Sequence, residues 1–457
     1  MDTIAAIAAG GTAPSAIGVV RVSGPECFAL CGQVFRSARP FSALEPRRMT
    51  LGEILDSQGQ VIDRGLAVRF PGPHSYTGED TAEFHCHGSP VVLREVLAAL
   101  FAAGARQAGP GEFTKRAFLN GQMDLTQAEA VIDLINSESA AAARNAAAQL
   151  DGGLRRRLEP VQEALLEIMS RFYAVVDYPD EDIQDVAPEE IAAALRKAEA
   201  GLTALLSTCR RGQVLKKGVR TAIVGLPNAG KSSLLNALAG YDRAIVTGVP
   251  GTTRDTVEET VLCGGTLLRL IDTAGLRETE DEVEKLGVER SRRAMEEADL
   301  ILLVEDGTSE EESPDLAEAV SRTGKPWIFI ASKRDLSGIA RISPSILDGH
   351  ISPAASLSLS ALTGEGLDQL EEAVAALFPA GDARETGGLL TDQRQEEAAF
   401  RAREAVRRAL EALESGLTPD AVLTDAEEAL DAIGELTGRT AKEEIVERIF
   451  SRFCVGK

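Results

Sequence analysis

The chain has 457 residues, 44% hydrophobic, 26% charged and 4% aromatic, a balance that excludes a disordered protein and implies two to four globular domains. Lysine and arginine number 48 against 71 aspartates and glutamates, a net charge of −23, the wrong sign for gripping nucleic acid by phosphate neutralisation over the whole surface. The six cysteines form no disulfide framework and no run nears 18 apolar residues; with no basic leader, a cytoplasmic protein away from membranes is expected.

Residues 1–120 alternate short strand-like runs ("AIGVVRVSG", "RGLAVRF", "DTAEFHCHG") with turns and one helical stretch, "SPVVLREVLAALFAAG", which reads as an α+β domain. From about 121 to 217 the period becomes helical: Thr126-Gln-Ala-Glu129 reads as a capping box, "DYPDEDIQDVAPEE" interrupts, and a further helix follows from about Pro188 to Cys209. From 218 to 379, apolar runs ("RTAIVGL", "LRLIDTAG", "ADLILLVEDG", "PWIFIAS") alternate with helices, the pattern of a mostly parallel α/β sheet. Helical period returns over 380–457, with Thr418-Pro419 and the box Thr440-Ala-Lys-Glu443 marking the last two helix starts. The expected fold is thus multidomain, an α+β domain followed by a helical domain into which an α/β domain is inserted.

The inserted segment carries the chemistry. Gly225-x4-Gly230-Lys231-Ser232 follows the strand "TAIV" and opens a helix. Backbone N–H groups from Asn228, Ala229, Gly230 and Ser233 and the helix N-terminus can cradle phosphates, Lys231 can reach the β and γ oxygens, and Ser232 can ligate Mg²⁺. Asp272-Thr273-Ala274-Gly275 follows a later strand, where Asp272 would hold Mg²⁺ through water and Gly275 would sense the γ-phosphate. Thr252 and Thr253 suit a switch that closes onto the metal. "SKRD" then places Lys333 and Asp335 at the end of a strand, with Ser360-Ala361 further on; Asp335 can take two hydrogen bonds from guanine, so the nucleotide is GTP. Ser332 stands where such loops carry Asn, and a hydroxyl reaches less far than an amide. Leu276 follows Gly275, where a Gln would orient water; Asn228 and "TGVPGTT" offer oxygens to a monovalent cation instead.

Three other features stand outside that site. Glu83, His85 and His87 alternate on one strand face, suited to substrate or packing more than to a metal. Arg155–Arg157 and "CRRGQVLKKG" are basic clusters that suit solvated helix faces or RNA. The ending "FCVGK" lacks a prenylation pattern and is either a frayed tail or one that folds back.

"AIVTGVPGTTRD", "DTAGLRETEDEVEKLGVERS", "SYTGEDTAEFHCHG", "PGEFTKRAFLNGQMDLTQAEAV" and "FCVGK" together resemble the bacterial tRNA modification GTPases of the MnmE (TrmE) family, over essentially the whole chain. The resemblance implies a homodimer formed through the N-terminal domain and a complex, a heterotetramer or larger, with a flavoprotein of the MnmG (GidA) type that carries FAD. It implies addition of a carboxymethylaminomethyl or aminomethyl group to carbon 5 of the wobble uridine of tRNA, with carbon from a one-carbon tetrahydrofolate. By position, Asn228, Thr247, Val249 and Thr252 would bind K⁺, Ser232 and Thr253 Mg²⁺, and Glu284 would orient the water. Arg21, Glu83 and Lys457 match folate-contacting positions; Gln122 stands where the family commonly has Lys. The resemblance also implies that the tail reaches the N-terminal domain, expected to be that of the partner protomer, with Cys454 near the reactive carbon as either a reactive thiolate or a packed thiol. The alternative is a GTPase switch in ribosome assembly or signalling, without its own modification chemistry.

Overall fold

The computed structural model describes residues 2–177, 186–241, 259–271, 292–309, 314–337, 352–379 and 387–456. Thr247, Val249, Thr252, Thr253, Asp272, Thr273, Ala274, Gly275, Leu276, Glu284 and Lys457 lie outside the described residues. By contact the chain divides into two units, Met1–Ile132 with Thr424–Lys457, and Asp133–Leu423.

The first unit is built on strands β1 (Ile4–Ala9), β2 (Ser15–Ser23), β3 (Phe35–Arg36), β4 (Thr50–Leu55), β5 (Val61–Phe70), β6 (Thr81–Gly88) and β7 (Arg106–Gln107). They form one sheet in the order β3-β4-β5-β6-β2-β1-β7, antiparallel except for the short parallel pairing of β1 with β7. The period-2 pattern of β6 sorts its faces: Ala82, Phe84 and Cys86 are buried, whereas Glu83 and His85 are half-buried and His87 is exposed. The buried face packs under the helices Cys27–Val34 and Pro90–Ala103, where Val20, Val22, Phe84, Leu93 and Leu100 meet. Gly18 is required there, because a Cβ would stand 2.5 Å from Leu93. Pro90 opens the second helix, and Gly104, at φ +119°, closes it.

The same unit contains a small apolar cluster of Leu125, Ala128, Val446, Ile449, Phe450 and Phe453. It joins the helix Leu125–Ile135 to the helix Glu443–Phe450. The expected capping boxes are shifted. Asp124 caps the first of these helices: its carboxylate accepts from the Gln127 amide at 2.9 Å, and the Gln127 side chain accepts from the Asp124 amide at 2.9 Å. Thr126, two residues later, does not cap: its hydroxyl donates to Asp124 Oδ1 at 2.6 Å. The helix start expected at Thr440 lies instead after Lys442, without a side-chain cap, because the Thr440 hydroxyl is spent on the Asp431 carbonyl at 2.9 Å.

In the second unit, β8 (Val219–Val224), β9 (Glu259–Cys263), β10 (Thr266–Ile271), β11 (Leu300–Asp306), β12 (Trp327–Ser332) and β13 (Ala355–Ser358) form a sheet in the order β13-β12-β11-β8-β10-β9. All neighbours are parallel except β9 with β10. Its strands are apolar on both faces, as parallel strands between helices must be: one face packs Leu234, Leu235, Leu302, Ile330 and Leu370, the other Leu303, Phe329, Trp327 and Val320. The helices flanking this sheet in sequence pack on each other: Pro188–Leu206 lies against both Gly153–Asp177 and Gln393–Glu414. Hydrogen bonds stitch the returning chain to the outgoing one. Gln149 donates to the Leu389 carbonyl at 2.7 Å, Gly387 N–H to Asn145 at 2.9 Å, and Leu390 N–H to Thr208 Oγ1 at 3.1 Å.

Candidate functional site

The parallel strands deliver the nucleotide-type loops to one edge. β8 runs directly into Gly225, and the helix Lys231–Tyr241 begins at the lysine of the loop, so the helix N-terminus and its free N–H groups close the turn. Asn228 adopts φ +60° and Gly230 φ +95°, and Gly225 has no room for a Cβ, which would stand 2.1 Å from the Val304 carbonyl. The Lys231 ammonium donates to the carbonyls of Gly225 at 2.9 Å and Leu226 at 2.6 Å, arched over the loop. Burial pushes its pKa below the usual lysine value, a cost that an adjoining phosphate would offset by charge. Ala229 is buried, while Ser232 and Ser233 are exposed.

Ser332 ends β12 and is 4% exposed. Its hydroxyl donates to the Ala229 carbonyl at 2.6 Å. The short side chain, though it reaches less far than an amide, ties the base-side strand to the phosphate loop. Next to it, Lys333 at φ +58° is fixed by Asp306, Nζ to Oδ2 2.6 Å. Burial would raise the Asp306 carboxyl, but the Lys333 ammonium and the Thr308 bonds hold it low. Asp335 is exposed and oriented by Ser360, whose hydroxyl lies 2.7 Å from Oδ1; the half-buried Ala361 follows. Arg334 and Glu365, 3.3 Å apart, tie the two base-side loops together. Sequence motifs do not reveal Asp306 or Glu365, because neither belongs to a spaced pattern and each acts through a distant neighbour.

A second constellation lies on the first unit. Arg21 and Glu83 are paired in register on β2 and β6, with Arg21 Nε donating to Glu83 at 2.8 Å. The guanidinium also lies over the rings of Tyr76, at 5.2 Å, and Phe113, at 5.7 Å, in cation–π range. His85 Nε2 is buried, 3.5 Å from Glu83, without a hydrogen-bond partner among the described residues, whereas His87 leaves this group and bonds Asp63 at 2.8 Å. Gln122 is exposed, its Nε2 beside Gly78. No group of three His, Cys, Asp or Glu among the described residues is placed to hold a metal.

The tail docks on this same unit, within its own chain. Val455 bridges to Pro110, and the Gly111 N–H donates to the Cys454 carbonyl at 3.3 Å. Gly456, at φ +100°, lies so close to β1 that a Cβ would stand 2.2 Å from the Ile7 carbonyl. Cys454 is the exposed cysteine among five buried ones. The loop under the tail is held by Glu112, which accepts from Gly109 N–H at 2.8 Å and pairs with Arg106 and the buried Arg116.

Residues 3–122 match the family model "GTP-binding protein TrmE N-terminus" and residues 125–454 the model "MnmE helical domain". The chain belongs to the MnmE family. It is 44% identical to "tRNA modification GTPase MnmE" of Akkermansia muciniphila, over 99% of this chain and 98% of that one. It is likewise 44% identical to a protein of that name from Thermus thermophilus, over 100% and 99%, and 41% identical to that of Natranaerobius thermophilus, again over 100% and 99%. MnmE-type sequence thus runs through both units. Among the described residues, no helix is long and apolar enough to cross a membrane.

Proposed function

We propose that the protein is the GTP-hydrolysing component of tRNA wobble-uridine modification, acting with an MnmG-type, FAD-carrying flavoprotein and a one-carbon tetrahydrofolate. The observation that carries this reading is the phosphate loop bound to Ser332, beside the Asp335–Ser360 pair, in a chain that matches tRNA modification GTPases from end to end.

Lys231 and the loop amides hold the β and γ oxygens, and Asp335 selects guanine. Ser232 offers a hydroxyl to Mg²⁺ together with Thr253, and Asn228, by its oxygen, offers one ligand to K⁺ with Thr247, Val249 and Thr252. These cations supply positive charge where the bond between the β and γ phosphates breaks, a role worth several powers of ten when an arginine plays it. Glu284 orients the water that Leu276 cannot. On the other unit, Arg21 suits a folate carboxylate or ring, Glu83 and Gln122 offer hydrogen bonds, and Lys457 adds a charge at the tail. The flavoprotein, the homodimer and tRNA complete the assembly.

One set of measurements separates this reading from a GTPase switch in ribosome assembly or signalling. A tetrahydrofolate derivative titrated into the protein should bind, and Arg21→Ala should weaken it at least tenfold. GTP hydrolysis should run faster in KCl than in NaCl. Absence of folate binding with hydrolysis intact favours the switch, and equal rates in the two salts remove K⁺ from the scheme.

A further inference from the structure

A cavity of about 490 Å³ lies beside β8 and β10, lined among others by Asp133, Glu138, Lys216, Lys217, Arg220 and Arg269. Its cations suggest an anion site until their partners are counted. Lys216 bonds Asp133 at 2.8 Å and Asp392 at 3.2 Å, Arg220 pairs with Asp299 at 3.4 Å, and Arg269 with Glu138 at 3.3 Å. The cavity is a junction of ion pairs where the chain enters the parallel sheet and later returns from it.

Arg269 has a particular place in this junction. It stands on β10, three residues before Asp272 in sequence, and lies in register with Arg220 on β8, the strand that runs into Gly225. At about 3.3 Å per strand residue, Arg220 is roughly 17 Å upstream of the phosphate loop, and Arg269 lies beside it on the neighbouring strand. The Arg269 Nε donates to the Lys217 carbonyl at 2.5 Å, which fixes the guanidinium to the sheet. Its other end meets both Glu138 oxygens at 3.3 and 3.4 Å, long for a charge-assisted bond. Glu138 sits in the turn between the helices Leu125–Ile135 and Ala140–Leu150, next to Ser139, which caps the second. One end of the bridge is tight and the other loose, so a small shift of β10 makes or breaks the loose end.

We propose that Arg269 and Glu138 form a latch by which the nucleotide state of the parallel sheet is transmitted to the helical turn 136–139. Arg269 then acts on the helical turn through Glu138 and touches neither nucleotide nor substrate. A long, partly exposed ion pair is weak, so nucleotide binding can reset it. Coupling requires only that the two states differ in this contact. Neither partner belongs to the loops that bind phosphate or base, so the latch can be cut without damaging them.

The test uses the full chain with Arg269→Ala, Glu138→Gln and the charge swap Arg269→Glu with Glu138→Arg. Amide hydrogen exchange over 133–150 is compared with GDP and with a non-hydrolysable GTP analogue, alongside GTP hydrolysis and tRNA modification. Wild type should show a nucleotide-dependent difference that both single variants abolish and the swap restores in part. In the single variants kcat and KM for GTP should stay within about twofold, while tRNA modification falls about three- to tenfold. A difference that survives in Arg269→Ala, or is missing from wild type, overturns the latch; so does an equal fall in GTP hydrolysis, the mark of a merely structural residue. The modification readout rests on the proposed function: a wild type that modifies no tRNA defeats that reading, while the exchange comparison still decides the latch.

Discussion

The two sheets build their sites in opposite ways. In the parallel sheet the functional groups stand where strands end, each in a short run of sequence: Lys231 after β8, Ser332 and Lys333 at the end of β12, Ser360 just past β13. In the N-terminal sheet the groups stand on a face. Arg21, Glu83 and His85 meet because β2 and β6 pair in register, Tyr76 and Phe113 arrive from elsewhere in the chain, and the tail docks against the neighbouring β1. A site at strand ends tolerates changes to distant segments, whereas a face site depends on every segment that covers it.

The sharpest way to break this contrast is Gly456→Ala. At φ +100° a side chain is strained, and its Cβ would stand 2.2 Å from a backbone oxygen of β1 that cannot move aside. The tail should detach, so tRNA modification should fall at least tenfold while GTP hydrolysis is unchanged. Cys454→Ser then sharpens the result: loss of modification with folate still bound marks a reactive thiol, and near-normal modification marks an exposed thiol without a part in the chemistry. Normal modification by Gly456→Ala would show that the tail contributes nothing to the face site.

Acid should separate the regions by a smaller margin. Burial alone would raise the Glu112 carboxyl, yet Arg106, the Gly109 amide and Arg116 hold it down to about 2 from an ordinary 4.5. Asp2 is likewise lowered, chiefly by its bond to Arg106. The stability from Glu112 is thus complete above about pH 4.5 and is lost as pH falls towards 2, roughly 2–3 kcal/mol at most. Hydrogen-exchange protection of residues 2–119, taken relative to the intrinsic rate at each pH, should fall over that window, and Glu112→Gln should weaken the first unit at neutral pH and flatten its acid limb. An unchanged acid profile in Glu112→Gln would place the titrating group elsewhere.

Legibility followed the same divide. The phosphate loop and the base-side residues could be read because each occupies a few consecutive positions after an apolar strand. Alternation placed Glu83 and His85 on one face, but it could not show that His87 turns to Asp63, since that depends on the neighbouring β5. The two-residue strands β3 and β7 are too short to have a period. Asp124 takes the helix cap because the Thr126 hydroxyl is itself spent on the Asp124 carboxylate, a pairing that spacing alone does not show. Lys216, which holds Asp133 and Asp392 together, joins positions far apart in the chain, beyond any local pattern.

The smallest effect tests the claim that the strand-end site is locally self-sufficient. Ser332 stands where such loops carry Asn, and the shorter reach of a hydroxyl would lead one to expect tighter nucleotide binding with Asn there. The structure removes most of that expectation, because the Ser332 hydroxyl already bonds the Ala229 carbonyl at 2.6 Å. A Cβ on Gly230 would stand 3.0 Å from that hydroxyl, so the glycine leaves the space in which the tie forms. One such bond contributes about 1 kcal/mol net, which corresponds to roughly fivefold in affinity. Ser332→Ala should therefore weaken GTP and GDP binding about three- to fivefold with kcat little changed, since the tie holds the loop in ground and transition states alike. Ser332→Asn should stay within about twofold of wild type. Tenfold tightening by Asn, or no loss with Ala, would mean that this hydroxyl does not set the loop, and that the phosphate and base halves of the site are positioned independently.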